Sequence, residues 1–537
     1  MAHANAPRRK PKVTAMMGEI ASARFRAPPE KPVFPPTMNR AIPLLALAIA
    51  LPAKADVTLP AVFSDHMVLQ SGIAVPVWGK ADPGEPVSVS IGAQTKTATA
   101  GADGAWSVKL DELKPGEATT VTVKGKNTIT INDVLVGEVW LCSGQSNMAW
   151  KVPQAKDFAT EQPAANFPQL RMFTEASGGA PEAMKQGNGK WLVCTPENVA
   201  SYSATAYFFG KNLHSQLKRP VGLVVSCVGG TPIESWISPE SQRTLPEMKA
   251  RFDALDNQVK NYDPAVAKAA YEKQLAVWKD AAAKAKAEGK AAPGAPRPAG
   301  DPRASGPGNL FNGKIAPLIG YAIKGAIWYQ GESNAFSVEG GKLYAKQLPL
   351  LVQDWRTLWN QGDFPFAWVQ LPNFSNARFL GWREVRESML KSLSVPNTGM
   401  AIALDLGDPK DIHPKNKQDV GHRLALWALA KAYGQDIAHS GPLPKSHEIK
   451  GSEVVVTFEH AEGLQAKGGG EIVGFQIAGE DKQWQPANAR IDGNKVIVAS
   501  PGIAKPAALR YAWEDDPKFN LYNAAGIPAS PFRTDDW

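Results

Sequence analysis

Cysteine is scarce in this chain, three in 537 residues. Cys142, Cys194 and Cys227 show neither a paired CxxC nor metal-ligand spacing, which excludes a disulfide framework and a thiolate metal site. Each lies in or beside an apolar run, so the residues are expected as buried thiols acting as small hydrophobes; a single disulfide plus one free thiol is the alternative. A strong charge of one sign is also missing, although the formal net charge of +8 hides it. Nine of the 59 Lys/Arg and two of the 51 Asp/Glu fall in residues 1–55, which leaves 50 against 49 in the remainder. The case for a nucleic-acid or anionic-membrane partner disappears with that segment. Long hydrophobic runs are absent except for Ala41–Leu51, which is too short to span a bilayer as a permanent helix. Met38-Asn39-Arg40 precedes it and Ala53-Lys54-Ala55 follows, the layout of a secretory signal peptide. Translation is therefore expected from Met38, with residues 1–37 upstream sequence, cleavage after Ala55 and a periplasmic or secreted product. No cysteine follows the cleavage site, which argues against a lipid anchor.

What is present divides by pattern. Residues 56–134 carry short alternating runs such as Ile73–Gly79, Val87–Ile91 and Trp106–Leu110, with Pro83-Gly84 and Asp103-Gly104 as turns. They read as a small β-sandwich module. From 135 to 445, apolar strands (135–142, 221–228, 323–329, 366–371, 399–404) alternate with amphipathic helices (203–217, 342–359, 382–393, 415–433). That alternation predicts a parallel sheet covered on both faces, with functional residues beyond the carboxyl ends of the strands. Residues 240–308 interrupt it as an insertion. Asp263-Pro264 caps a helix, and 289–308 dissolve into Ala/Lys/Pro/Gly loop sequence. Residues 446–537 return to β, either as a second β module or as the other half of a split sandwich.

Four segments stand at predicted strand ends: Gly144-Gln145-Ser146-Asn147-Met148, Gly229-Gly230-Thr231-Pro232-Ile233-Glu234-Ser235-Trp236, Trp328-Tyr329-Gln330-Gly331-Glu332-Ser333-Asn334 and Asp411-Ile412-His413-Pro414. Ser146 ends a small-residue turn after an apolar strand, which presents an exposed hydroxyl. A serine hydroxyl is a weak nucleophile until a base activates it, and His413 is the base on offer. The pairing points to acyl transfer. Trp150, Trp236 and Trp382 fall near these segments and offer flat faces to sugar rings, with core packing as the competing use. Arg383, beside Trp382, could meet an acidic sugar. Asp65-His66 lies in the β module and reads as structural hydrogen bonding.

Taken together, the four segments resemble the four blocks of the SGNH (GDSL-like) hydrolases. Within that superfamily they are similar to the sialate O-acetylesterase group and its bacterial carbohydrate-acetylesterase relatives. The resemblance extends from Phe63–Gln70 to Asn520–Asn523. It implies a flavodoxin-like three-layer α/β/α catalytic domain with accessory β-sandwich (jelly-roll-like) structure. It also implies O-deacetylation of a carbohydrate through an acetyl-Ser146 intermediate, with neither cofactor nor metal.

The same resemblance assigns roles. Ser146 is the nucleophile, His413 the base and Asp411 the orienting acid, with Asp408 and Asp405 as alternatives because the family's usual acid position holds Lys410. Oxyanion donors would be the N–H groups of Ser146 and of Gly229 or Gly230, and the Gln330 side-chain amide, or Asn334 in its place. Gln145, Asn147, Trp236, Glu332, Asn334, Trp382 and Arg383 are the expected substrate-binding set. Acetylated sialic acid is the leading substrate and acetylated xyloglucan or xylan the rival. A non-catalytic carbohydrate-binding protein and a serine peptidase or lipase are the readings from other classes.

Overall fold

The structure is a computed structural model describing residues 56–297 and 300–537. The expected signal peptide with cleavage after Ala55, and the expected upstream stretch 1–37, lie outside the described residues. At the centre is a run of seven strands in the order Thr398–Ile402, Phe366–Gln370, Gly325–Tyr329, Thr128–Gly144, Val221–Cys227, Phe167–Glu175 and Gly189–Cys194. All neighbours are parallel except the last pair. The two strands at that edge, Phe167–Glu175 and Gly189–Cys194, were not among those expected.

Side chains of successive strand residues alternate between two apolar layers. Leu141, Val224, Ala326 and Trp328 join the layer holding Tyr344, Leu348 and Trp355 of helix Val338–Trp359 and Val385 of helix Trp382–Lys391. Trp140, Cys142, Val225 and Ile327 join the opposite layer with Phe208 and Phe209 of helix Ala204–Leu217 and Leu424 of helix Lys417–Lys431. This is the three-layer α/β/α arrangement. All three cysteines are free thiols, Cys142 and Cys194 buried.

The strand Thr128–Gly144 is 17 residues long. Its first half pairs antiparallel with Gly116–Lys124 of the N-terminal β region, and its second half is the central strand of the parallel sheet. Position 134 thus lies inside a strand common to both regions. The C-terminal β region forms two four-stranded sheets and a two-stranded one, none of which pairs with a strand of the N-terminal region among the described residues. It is tied to the catalytic layers by the Arg533–Glu387 ion pair and by Arg386, which donates to the carbonyls of Glu514 and Asp515. In the insertion, helix Pro264–Ala287 is capped by the Asp263 carboxylate and buries none of its residues. Among the described residues, no helix is long and apolar enough to cross a membrane.

Register places the strand ends level. Gly144 pairs with both Tyr329 and Cys227. The chain reverses its winding around the central strand, so the crevice beyond Gly144 is a topological switch point. Gly144 itself turns the chain there at φ +140°, where a Cβ would lie 2.1 Å from the Tyr329 carbonyl oxygen. Gly144→Ala is expected to destabilise the protein by about 3 kcal/mol, combining backbone strain with a clash. A thermal melt alongside wild type checks this; an unchanged midpoint would contradict it.

Candidate active site

The chain leaves the central strand through Gln145, whose N–H donates to the Tyr329 carbonyl at 2.9 Å, and enters the short helix Ser146–Ala149. Ser146 is half-buried at the head of that helix. Across the crevice, the loop before helix Lys417–Lys431 brings His413 to it: Nε2 lies 2.9 Å from Ser146 Oγ, across 267 positions of sequence. The imidazole stacks on Trp150, with ring centroids 4.5 Å apart and planes 15° from parallel. That stack fixes the ring plane on one side and leaves its edge facing the serine.

Asp411 stands nearest to the other ring nitrogen, but at 3.8 Å from Nδ1, longer than a hydrogen bond. Its Oδ1 instead accepts the His413 backbone N–H at 2.9 Å. The two alternative acids are occupied: Asp408 accepts the Lys410 backbone N–H, and Asp405 is held by Arg423 at 2.6 Å. Burial lowers the His413 pKa from its usual value, as does the nearby Lys417 charge, and Asp411 opposes them. The imidazole is therefore free to act as a base at lower pH than an exposed histidine.

The second and third motifs close around the serine in an unexpected way. Gly229 approaches so closely that a Cβ there would come 3.3 Å from Ser146 Cβ. Gly230 adopts φ +72° beside it. Neither backbone N–H takes part in a backbone hydrogen bond among the described residues. Gln330, expected as an oxyanion donor, is fully buried and its amide is committed. Nε2 donates to Gln145 Oε1, the Thr231 carbonyl and Asn334 Oδ1 at 3.1, 3.2 and 2.8 Å, and Oε1 accepts from Tyr344. With two hydrogens and three acceptors, nothing remains for an acyl oxygen. Asn334 does not replace it: its NH2 donates to Glu234, and its oxygen also accepts from the Ile233 N–H. The Nε2 of Gln145 has no acceptor among the described residues, and that side chain stands next to the nucleophile.

Several residues expected to touch substrate are structural. Trp236 and Trp382 are fully buried; their indole N–H groups bond Thr231 and the Pro372 carbonyl, and their rings pack on Trp328 and on Phe374. Arg383 faces Asp515 at 3.6 Å. Asn147 and Glu332 are buried and bonded to each other. The exposed aromatic surface near the third motif is Phe336, 49% exposed and stacked on Phe379 with centroids 4.7 Å apart. Phe379 lies in a loop that meets the Asp408–Asp411 segment through the Ser375 N–H to Pro409 carbonyl bond. Phe336, Phe379 and Lys417 are ordinary residue types outside the motif cores, so nothing in the sequence singles them out. Among the described residues no cluster of His, Cys, Asp and Glu could hold a metal ion.

A family model described as carbohydrate esterase, sialic acid-specific acetylesterase, matches residues 136–274 and 312–430. The sialate O-acetylesterase of Rattus norvegicus is 30% identical over 524 residues, covering 87% of this chain and 92% of the rat protein. The chain belongs to the sialate O-acetylesterase family. The Mus musculus enzyme is likewise 30% identical, over 532 residues, with the same coverage of both chains. A crystal structure of a carbohydrate acetylesterase from Xanthomonas citri is 36% identical and superimposes with a TM-score of 0.77, covering 90% of this chain and all of the other. As a member of this family the protein is a serine-type carbohydrate O-acetylesterase, and the three stretches outside the matched residues (1–135, 275–311 and 431–537) carry none of the four motifs.

The long Asp411–Nδ1 separation predicts a graded phenotype. Asp411→Asn is expected to lower kcat by about tenfold to a hundredfold, short of the roughly ten-thousandfold loss when a buried triad aspartate is replaced. Steady-state kinetics on a chromogenic acetyl ester measure it. The same assay should place the acid limb of kcat/KM below pH 6.5, the ordinary histidine value.

Proposed function

We propose that this esterase removes acetyl groups from sialic acid hydroxyls through an acetyl-Ser146 intermediate, and that it works outside the cytoplasm after cleavage at Ala55. The observation that carries the mechanism is the 2.9 Å contact between Ser146 Oγ and His413 Nε2 at a parallel-strand edge. Ser146 attacks the acetyl carbonyl carbon as its proton passes to Nε2. The tetrahedral oxyanion is held by the N–H groups of Ser146 and of Gly229 or Gly230, and by the free amide of Gln145 in place of Gln330. Collapse breaks the bond to the sugar oxygen, which takes the proton from His413. Water, deprotonated by the same imidazole, then cleaves acetyl-Ser146 to acetate. Asp411 stabilises the transient imidazolium through space and fixes its backbone.

Sialic acid differs from the neutral sugars of xyloglucan in its carboxylate. Arg378, beside Phe379, is exposed and forms no ion pair among the described residues. It is the cation this reading assigns to the carboxylate, a role Arg383 cannot take while it faces Asp515. The Phe336–Phe379 stack supports the second reading, an acetylated hemicellulose, since the exposed ring of Phe336, backed by half-buried Phe379, suits a neutral sugar face.

The test is acetate release by the protein beginning at Asp56 from O-acetylated sialic acid and from acetylated xyloglucan. Ser146→Ala should abolish release, leaving at most about a thousandth of wild-type turnover. Arg378→Ala should raise KM about tenfold for the sialic acid ester alone, the loss of a charge-assisted contact. Release from xyloglucan only, insensitive to Arg378, would establish the hemicellulose reading. Amino-terminal sequencing of the exported protein tests the cleavage site.

A further inference from the structure

Lys417 opens the helix Lys417–Lys431, four positions after His413, and its side chain is fully buried. Its ammonium group donates to Asn147 Oδ1 and lies 5.2 Å from the centre of the Tyr329 ring and 6.0 Å from that of Trp150. At the other end of the same amide, the Asn147 NH2 donates to Glu332 and, at 3.0 Å, to the carbonyl of Ile412. Glu332 is 1% exposed. One asparagine side chain thus separates a buried cation from a buried carboxylate and also grips the residue before His413. Its orientation is determined, because an ammonium can only donate and a carboxylate only accepts.

Burying a charge is costly unless an opposite charge and hydrogen bonds compensate it. An apolar side chain in place of each partner would fill the space more cheaply, so the charge itself calls for a use. The groups facing Lys417 are Glu332 from the third motif, Asp411 and His413 from the loop, and Asn147 from the nucleophile turn. Those facing His413 are Ser146, Trp150, Asp411 and Lys417.

We propose that Lys417, compensated by Glu332 through the Asn147 amide, is a positioning residue for His413. It clamps the histidine loop to the nucleophile turn, and its positive charge keeps the imidazole unprotonated and ready to accept the Ser146 proton. The proposal rests on the Ser146–His413 chemistry above. Burial brings the Lys417 pKa down to about 7, against the opposing pull of Glu332 and Asp411. Its charge is therefore present below that pH, where an imidazole would otherwise protonate, and fades above it, where no such help is needed. The device extends the working range of the base toward acid.

The test compares wild type with Lys417→Met, Lys417→Arg, Glu332→Gln and the double variant Lys417→Met/Glu332→Gln. The His413 titration is read by NMR of histidine-labelled protein, which needs no turnover and so remains readable even if the acetylesterase mechanism is wrong. The acid limb of kcat/KM is read in parallel. In Lys417→Met the His413 titration and the acid limb should both rise by about one pH unit, and kcat should fall about tenfold or more. Lys417→Arg should keep the limb near wild type, because it keeps the charge. Glu332→Gln should lower the titration, and the double variant should raise it again and recover part of kcat, since neither charge is then left alone. If Lys417→Met does not fold, the comparison of Glu332→Gln with the double variant decides the matter. An unmoved His413 titration, or an equal shift in Lys417→Arg and Lys417→Met, would overturn the proposal.

Discussion

A serine and a histidine 267 positions apart must meet at hydrogen-bond distance, and that requirement governs this molecule. Parallel strand register supplies the first part of the answer. Gly144, Cys227 and Tyr329 are level, so the nucleophile turn, the glycine pair and the third motif emerge at one height. Side-chain amides supply the second part. Gln330 joins Gln145, Thr231 and Asn334, and so binds three motifs into one rigid floor. Asn147 ties that floor to the loop bearing the histidine. The residues around the serine thus divide into a few left free for substrate and a larger set that holds them in place.

The catalytic layers were legible because buried parallel strands are almost continuously apolar and their helices amphipathic. The expected strands at 221–228 and 366–371 appear as Val221–Cys227 and Phe366–Gln370. The edge strand Gly189–Cys194 escaped notice because its burial is broken and its neighbour Phe167–Glu175 begins with half-buried Phe167 followed by exposed Pro168 and Gln169. The division at 134 had a compositional basis, since the sequence there changes from alternating to continuously apolar. That change marks where one face of a single strand becomes covered on both sides, which composition cannot distinguish from a new domain.

For the site, Ser146 and His413 were legible because each stands in a short motif that follows an apolar run, and the fold brings the two side chains to 2.9 Å. The amides and tryptophans were harder. Whether a buried Gln or Asn donates to substrate or to protein depends on three or four partners from distant segments, as with Gln330. Whether a Trp faces a sugar or the core depends on the opposite layer; Trp236 meets Trp328 and Trp355 donates to its carbonyl. Lys417 carried no signal at all, because a lysine at the first turn of a helix ordinarily reads as solvated.

The shared strand Thr128–Gly144 also has an inheritance consequence. Accessory modules in many proteins can be lost, swapped or appended, since a linker separates them from the catalytic layers. Here the accessory region and the nucleophile are opposite ends of one continuous ladder. A recombination event anywhere between Thr128 and Gly144 would split the strand that positions Ser146. The N-terminal region is therefore bound to travel with the esterase as one heritable unit, while the C-terminal region, whose sheets share no strand with the catalytic sheet among the described residues, is the part freer to vary.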